Sequence, residues 1–85
     1  MRVRAFFIGF MADSLGVREV EVELPEGAGV GDLLEALARR LQGFASLVER
    51  LPMVVAYVDG REVGPSERLR DGLTVYLSAS FYEGG

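Results

Sequence analysis

The sequence predicts an α+β domain, a mixed sheet with one main helix packed on one face. Three stretches carry that expectation. "REVEVELPEG" and "LTVYLSASF" alternate apolar with polar residues, the period of a half-buried strand. Between them, "GVGDLLEALARRLQG" repeats its apolar residues at spacings of three and four, the stripe of a helix lying on a core. Helices and strands segregated in this way belong to α+β architectures.

Taken in order, "VRAFFIGF" is nearly continuous in apolar character and is expected as a central strand. "MADSLGV" follows as a loop, on account of its Asp, Ser and Gly. In the second strand Val20, Val22 and Leu24 point to the core. Glu19, Glu21 and Glu23 face out, a charged row that suits an edge strand guarded against pairing with other chains. Pro25 and Gly27 close it. The main helix buries Val30, Leu33, Leu34, Leu37 and Leu41, with Gly29 as its N-cap and Asp32 in the first turn. Arg39 and Arg40 occupy the last turn, and Gly43 fits a left-handed stop. Phe44, Leu47, Val48 and Leu51 repeat the helical spacing before Pro52 and predict a second, short helix. "MVVAYVDGREV" is a hairpin: a strand over 53–58, an Asp59-Gly60 turn and a short return through Val63. "GPSERLRDG" is turn-rich. In the final strand Leu73, Val75, Leu77 and Ala79 share one face, and Thr74, Tyr76 and Ser78 the other.

Composition removes whole classes of function. At 85 residues the chain makes one domain. It has no Cys and no His, which excludes disulfides, thiolate nucleophiles, imidazole bases and Cys/His zinc sites. The acidic residues are scattered and form no oxygen-ligand loop, so no metal site is expected. A net charge of −4 opposes nucleic-acid binding; the pairs Arg39/Arg40 and Arg68/Arg70 read as solvated surface. The apolar run over 5–12 is eight residues, too short to span a bilayer, and meets Asp13 without a signal-peptide cleavage site. Cytoplasmic location and no membrane partner are therefore the expectation. All nine basic residues are Arg, Asn is absent and Ile8 is the lone isoleucine. A GC-rich genome accounts for all three, since Lys, Asn and Ile share AT-rich codons. The lack of Lys also leaves no side-chain amine to attack an acyl group activated on the same chain.

The chain ends "SFYEGG". We expect a single domain over 1–80 and an extended tail over 81–85, which at about 3.3 Å per residue reaches some 16 Å from the body. Glycines lack side chains, so they thread narrow channels and leave the terminal carbonyl unshielded. Those properties suit adenylation of a C-terminal carboxylate inside another protein's active site.

The order strand, strand, helix, strand, short strand, strand is that of the β-grasp (ubiquitin-like) fold. "VRAFFIGF", "ADSLGV", "GVGDLLEALARRL", "VVAYVDGREV", "LRDGLTVYL" and the terminal "GG" together resemble the MoaD/ThiS family of ubiquitin-like sulfur carriers over essentially the whole chain. With the added segment "FASLVERLP", the chain is most similar to MoaD, the small subunit of molybdopterin synthase. The resemblance implies a carrier with no catalytic side chains and no bound cofactor. A MoeB/ThiF-type adenylating enzyme would use ATP and Mg²⁺ to activate the Gly85 carboxylate, and a persulfide sulfur donor would convert it to a thiocarboxylate. Gly84 would thread the channel and Gly85 carry the sulfur to a precursor of the molybdenum-cofactor pterin, in complex with a MoaE-like large subunit. Many MoaD proteins have a proline-containing stretch before the glycines. This chain has "SASFYEGG", so Phe81, Tyr82 and Glu83 bear on the choice of partner and are expected to touch it. Related carriers serve tRNA thiolation or thiamine synthesis, and a ubiquitin-like modifier joined to lysines of other proteins is the alternative from another class. An interaction module with an inert tail is the third.

Strand alternation makes one further prediction. Val3, Ala5 and Phe7 face the helix, which puts Phe6 on the opposite face, where Tyr76 of a neighbouring strand also points. The two would form an exposed aromatic patch for a partner, unless the segment over 44–51 folds across them.

Overall fold

The computed structural model describes residues 1–50 and 54–79, and of Arg50 the backbone alone. Strand β1 (Arg2–Phe7) alternates as its sequence requires: Val3, Ala5 and Phe7 are buried, while Arg2 and Arg4 are exposed and Phe6 is half-buried. The chain then departs from expectation. In place of a loop, a short helix α1 (Phe10–Leu15) follows, anchored by Met11 at 0 % exposure. Asp13, Ser14 and Gly16 read as loop residues, but one buried side chain suffices for a helix this short. Gly16 ends it in a left-handed conformation, its N–H donating to the Ala12 carbonyl at 2.9 Å.

Strand β2 (Glu19–Glu23) pairs antiparallel with β1, Val3 opposite Val22 and Ala5 opposite Val20. It is an edge strand, and its three glutamates are exposed as predicted. Helix α2 (Val30–Arg40) buries Val30, Leu33, Ala36 and Leu37. Its first amides are satisfied from two directions. The Gly29 N–H donates to the Asp32 carboxylate at 2.8 Å, and the Val30 and Gly31 N–H groups donate to the carbonyls of Glu67 and Pro65, both at 2.9 Å. The turn-rich segment after β4 thus seals the start of the helix.

Helix α3 (Phe44–Arg50) forms where the spacing predicts, and its placement decides an open question. Phe44 and Leu47 are buried in the main core, and the Phe44 ring lies 6.3 Å from that of Phe7. The helix therefore sits on the same side of the sheet as α2, so its described residues do not cover Phe6 and Tyr76, against the alternative in which 44–51 folds across them. The hairpin's first strand, β3, is Val54–Val58, and the predicted start at Met53 lies, with Leu51 and Pro52, outside the described residues. It turns through Asp59 (φ 53°) and Gly60 (φ 79°) into β4 (Arg61–Val63); two consecutive positive φ values make the type I′ turn that matches strand twist.

Strand β5 (Thr74–Ala79) lies parallel to β1 and antiparallel to β3. The strand order is β2-β1-β5-β3-β4, one mixed sheet with helices on one face, the β-grasp arrangement. Among the described residues the buried set is wholly apolar, so packing alone holds this core together. No helix among them is long and apolar enough to cross a membrane.

Candidate functional site

The site has two parts, and β5 belongs to both. It is the central strand of the sheet, and its described residues end at Ala79, opposite Val54 of β3. Ser80 and the tail residues Phe81, Tyr82, Glu83, Gly84 and Gly85 lie outside the described residues. What the fold supplies is the origin of the tail and the surface beside it.

That surface is the sheet face away from the helices. The Phe6 and Tyr76 rings meet there at 5.3 Å between centroids and a 52° tilt, a favourable aromatic geometry. Tyr76 is 40 % exposed although it sits in the central strand. Backbone pairing explains the contact, because Phe6 is directly opposite Tyr76 in the parallel β1–β5 ladder.

The structure adds a residue that the sequence reading missed. Tyr57 of β3 is directly opposite Tyr76 in the β3–β5 ladder and half-buried, so it shares that face. The signal was present in "VVAYV", where Val54, Ala56 and Val58 alternate with Val55 and Tyr57. Seeing that Tyr57 lands beside Tyr76 requires the register between strands, which local alternation does not encode. The row extends to both sheet edges. Glu19 stands opposite Phe6, and Glu62 opposite Tyr57, giving Glu19–Phe6–Tyr76–Tyr57–Glu62 across five strands.

Along the rest of this face the charges pair within the chain. Arg4 lies 3.7 Å from Glu19 and 3.3 Å from Glu21, and Arg2 lies 3.5 Å from Glu23. Below the row, the Arg2 N–H donates to the Asp71 carboxylate at 2.7 Å and ties the turn before β5 to the start of β1. Among the described residues no group of three or more His, Cys, Asp or Glu side chains could hold a metal ion. The arrangement is an exposed aromatic row bordered by ion pairs, on the strand whose described residues end at Ala79.

Fold and surface together define a ubiquitin-like protein of the β-grasp class. A family model, that of the ThiS family, matches residues 6–77. The chain belongs to the ThiS family. Among solved structures it is similar to a putative molybdopterin converting factor, subunit 1, from Pyrococcus furiosus, at 30 % identity and a TM-score of 0.76, covering 93 % of this chain and 97 % of that one. It is similar also to the HVO 2177 protein of Haloferax volcanii, at 27 % identity and a TM-score of 0.81, covering 99 % and 87 %. SAMP1 from Haloferax volcanii shares the fold over 100 % of both chains, with a TM-score of 0.85 at 23 % identity. No curated protein sequence matches the chain significantly.

Proposed function

We propose that the chain is a sulfur carrier, the small subunit of a molybdopterin synthase, and that Gly85 is its working group. The observation that carries this reading is the family match over residues 6–77, with the likeness at 30 % identity to a molybdopterin converting factor subunit. In the proposed cycle a Gly85 carboxylate oxygen attacks the α-phosphorus of Mg²⁺-bound ATP in an adenylating enzyme, and pyrophosphate leaves. A persulfide sulfur then displaces AMP from the acyl carbon. Reduction of the resulting S–S bond by a thiol of the donor leaves a thiocarboxylate on Gly85, and a MoaE-like large subunit receives the charged carrier. Gly84 passes the enzyme's channel, while Phe81, Tyr82 and Glu83 line its approach. Phe6 and Tyr76, with Tyr57, dock the body.

Intact mass after incubation with an adenylating enzyme of the ubiquitin-activating type, ATP, Mg²⁺ and a persulfide donor tests this. The expected product has one oxygen replaced by sulfur at Gly85. The fold is equally that of SAMP1, which fits a second reading as a ubiquitin-like protein modifier. Isopeptide adducts to lysines of other proteins, with no thiocarboxylate, would replace the first reading by the second.

A further inference from the structure

The aromatic row ends in a carboxylate at each sheet edge, and this says something about the partner. Five carboxylates border the open face, those of Glu19, Glu21, Glu23, Glu62 and Asp71, against three cations, the guanidinium groups of Arg2 and Arg4 and the N-terminal ammonium, which lies 3.7 Å from Glu23. Both arginines are already engaged by the glutamates of β2. The arginines near the other edge are engaged too: Arg61 with Glu67 at 2.8 Å and Arg70 with Asp59 at 3.1 Å. The face is thus apolar at its centre and carries excess negative charge at its rims. Exposed Glu62 has no ion-pair partner among the described residues.

We infer that Glu19 and Glu62 select the adenylating enzyme: its docking surface is an apolar socket flanked by basic side chains about 19 Å apart, four inter-strand spacings. The inference rests on the carrier reading for the identity of the partner and adds to it the charge pattern that the partner must present. Aromatic anchors at the centre supply affinity, and rim charges chiefly set the rate of encounter and the rejection of wrong partners. A partner with acidic rims would meet like charge on both sides of the row. The second carboxylate makes the selection directional. A single charge attracts any basic surface, whereas two at fixed separation favour a partner aligned across the strands.

The test pairs two double variants with the same change in net charge. Glu19→Gln/Glu62→Gln removes both rim carboxylates, and Glu35→Gln/Glu49→Gln removes two exposed carboxylates on the helix side. The probe is the adenylating enzyme of the same organism, with affinity measured by titration calorimetry and ATP–pyrophosphate exchange followed in parallel samples. We expect the rim variant to bind roughly 3- to 30-fold more weakly, as suits two surface ion pairs, and the helix-side variant to match the wild type. Wild-type affinity should itself fall as salt rises towards about 1 M, where the screening length is near 3 Å, and fall less steeply in the rim variant. Equal affinity of the rim variant and wild type, or an equal loss in the helix-side variant, overturns the inference; continued exchange would then leave the carrier reading standing. Absence of both exchange and binding by the wild type removes both.

Discussion

Phe6 and Phe7 are consecutive in β1 and should behave as opposites. Phe7 is 1 % exposed, packs in the main core and meets the Phe44 ring. Truncation to alanine there removes a large buried side chain and leaves a cavity, at a cost of about 3–5 kcal/mol. Phe6 is half-buried on the open face. Its truncation forfeits the contact with Tyr76, worth about 0.5–1.5 kcal/mol, and a fraction of its buried area, about 1–2 kcal/mol in all. Both substitutions incur the same loss of strand propensity in the same strand, so the difference reports burial alone. A domain of 85 residues has roughly 4–13 kcal/mol of stability to lose. At about 4–8 °C per kcal/mol, Phe7→Ala should lower Tm by at least ~12 °C or prevent folding, and Phe6→Ala by roughly 4–16 °C. Thermal melts followed by circular dichroism, checked by urea titration, measure both. Melts for the two variants within about 2 °C of each other would refute the assignment of the two faces, and with it the recognition surface.

Phe6→Ala, Tyr57→Ala and Tyr76→Ala should each weaken binding to the adenylating enzyme about tenfold or more while the domain stays folded; wild-type affinity in calorimetry for all three would place recognition elsewhere. Gly29→Ala should destabilise, because a Cβ there would stand 3.0 Å from the Glu67 carbonyl oxygen and 3.3 Å from that of Pro65, in the segment that seals α2. Gly31→Ala meets the Pro65 carbonyl oxygen at 3.4 Å and gains up to about 1 kcal/mol of helix propensity, so its melt should lie above that of Gly29→Ala; the reverse order would contradict the packing. Removing Gly85, or adding one residue after it, should abolish ATP–pyrophosphate exchange with no change in Tm, and undiminished exchange by the extended chain would contradict the role given to the terminus.

Elements whose instructions are local were the legible ones. The glutamate row of β2, the apolar stripe of α2 and the Asp59-Gly60 turn each follow from periods or backbone preferences within a few residues. The row and the turn stand where the sequence puts them. Of the stripe, Val30, Leu33 and Leu37 are buried, Leu34 is half-buried, and half-buried Leu41 lies past the helix end. Helix α1 was missed because six residues with one buried Met show no period. The apolar stripe of α3 was readable, but not the side of the sheet it covers, since "FASLVER" says only that one flank seeks a core. The ring of Phe7, four strand and helix elements away in sequence, decides the side. Tyr57 was hidden for the same reason. Its neighbour Tyr76 lies nineteen positions on, and only the β3–β5 register joins them. The Gly-Gly end is a different case: it lies outside the described residues, and the role given to it is read from the sequence.

Strand β5 ties the two parts of the site together mechanically. Tyr76 and Ala79 lie on one central strand, held on both sides by β1 and β3. A partner seated on the aromatic row therefore fixes the position of Ala79 with the rigidity of a sheet interior, and only the six residues over 80–85 remain to be placed. Six residues reach at most about 20 Å when fully extended, which is the bound that the proposed docking would set on Gly85. The second encounter, of carboxylate with active site, becomes intramolecular with an effective concentration set by that short tether. Under the proposed function the sheet face would carry no chemistry, and the reacting group would sit apart from it at Gly85. In the proposed function, docking affinity would come from Phe6, Tyr57 and Tyr76 and their flanking carboxylates, with Phe81, Tyr82 and Glu83 adding contacts along the approach and Gly84 and Gly85 supplying reach and slenderness. Changes on the sheet face should therefore act on association, and changes at Gly85 on turnover after association, with little crossover between them.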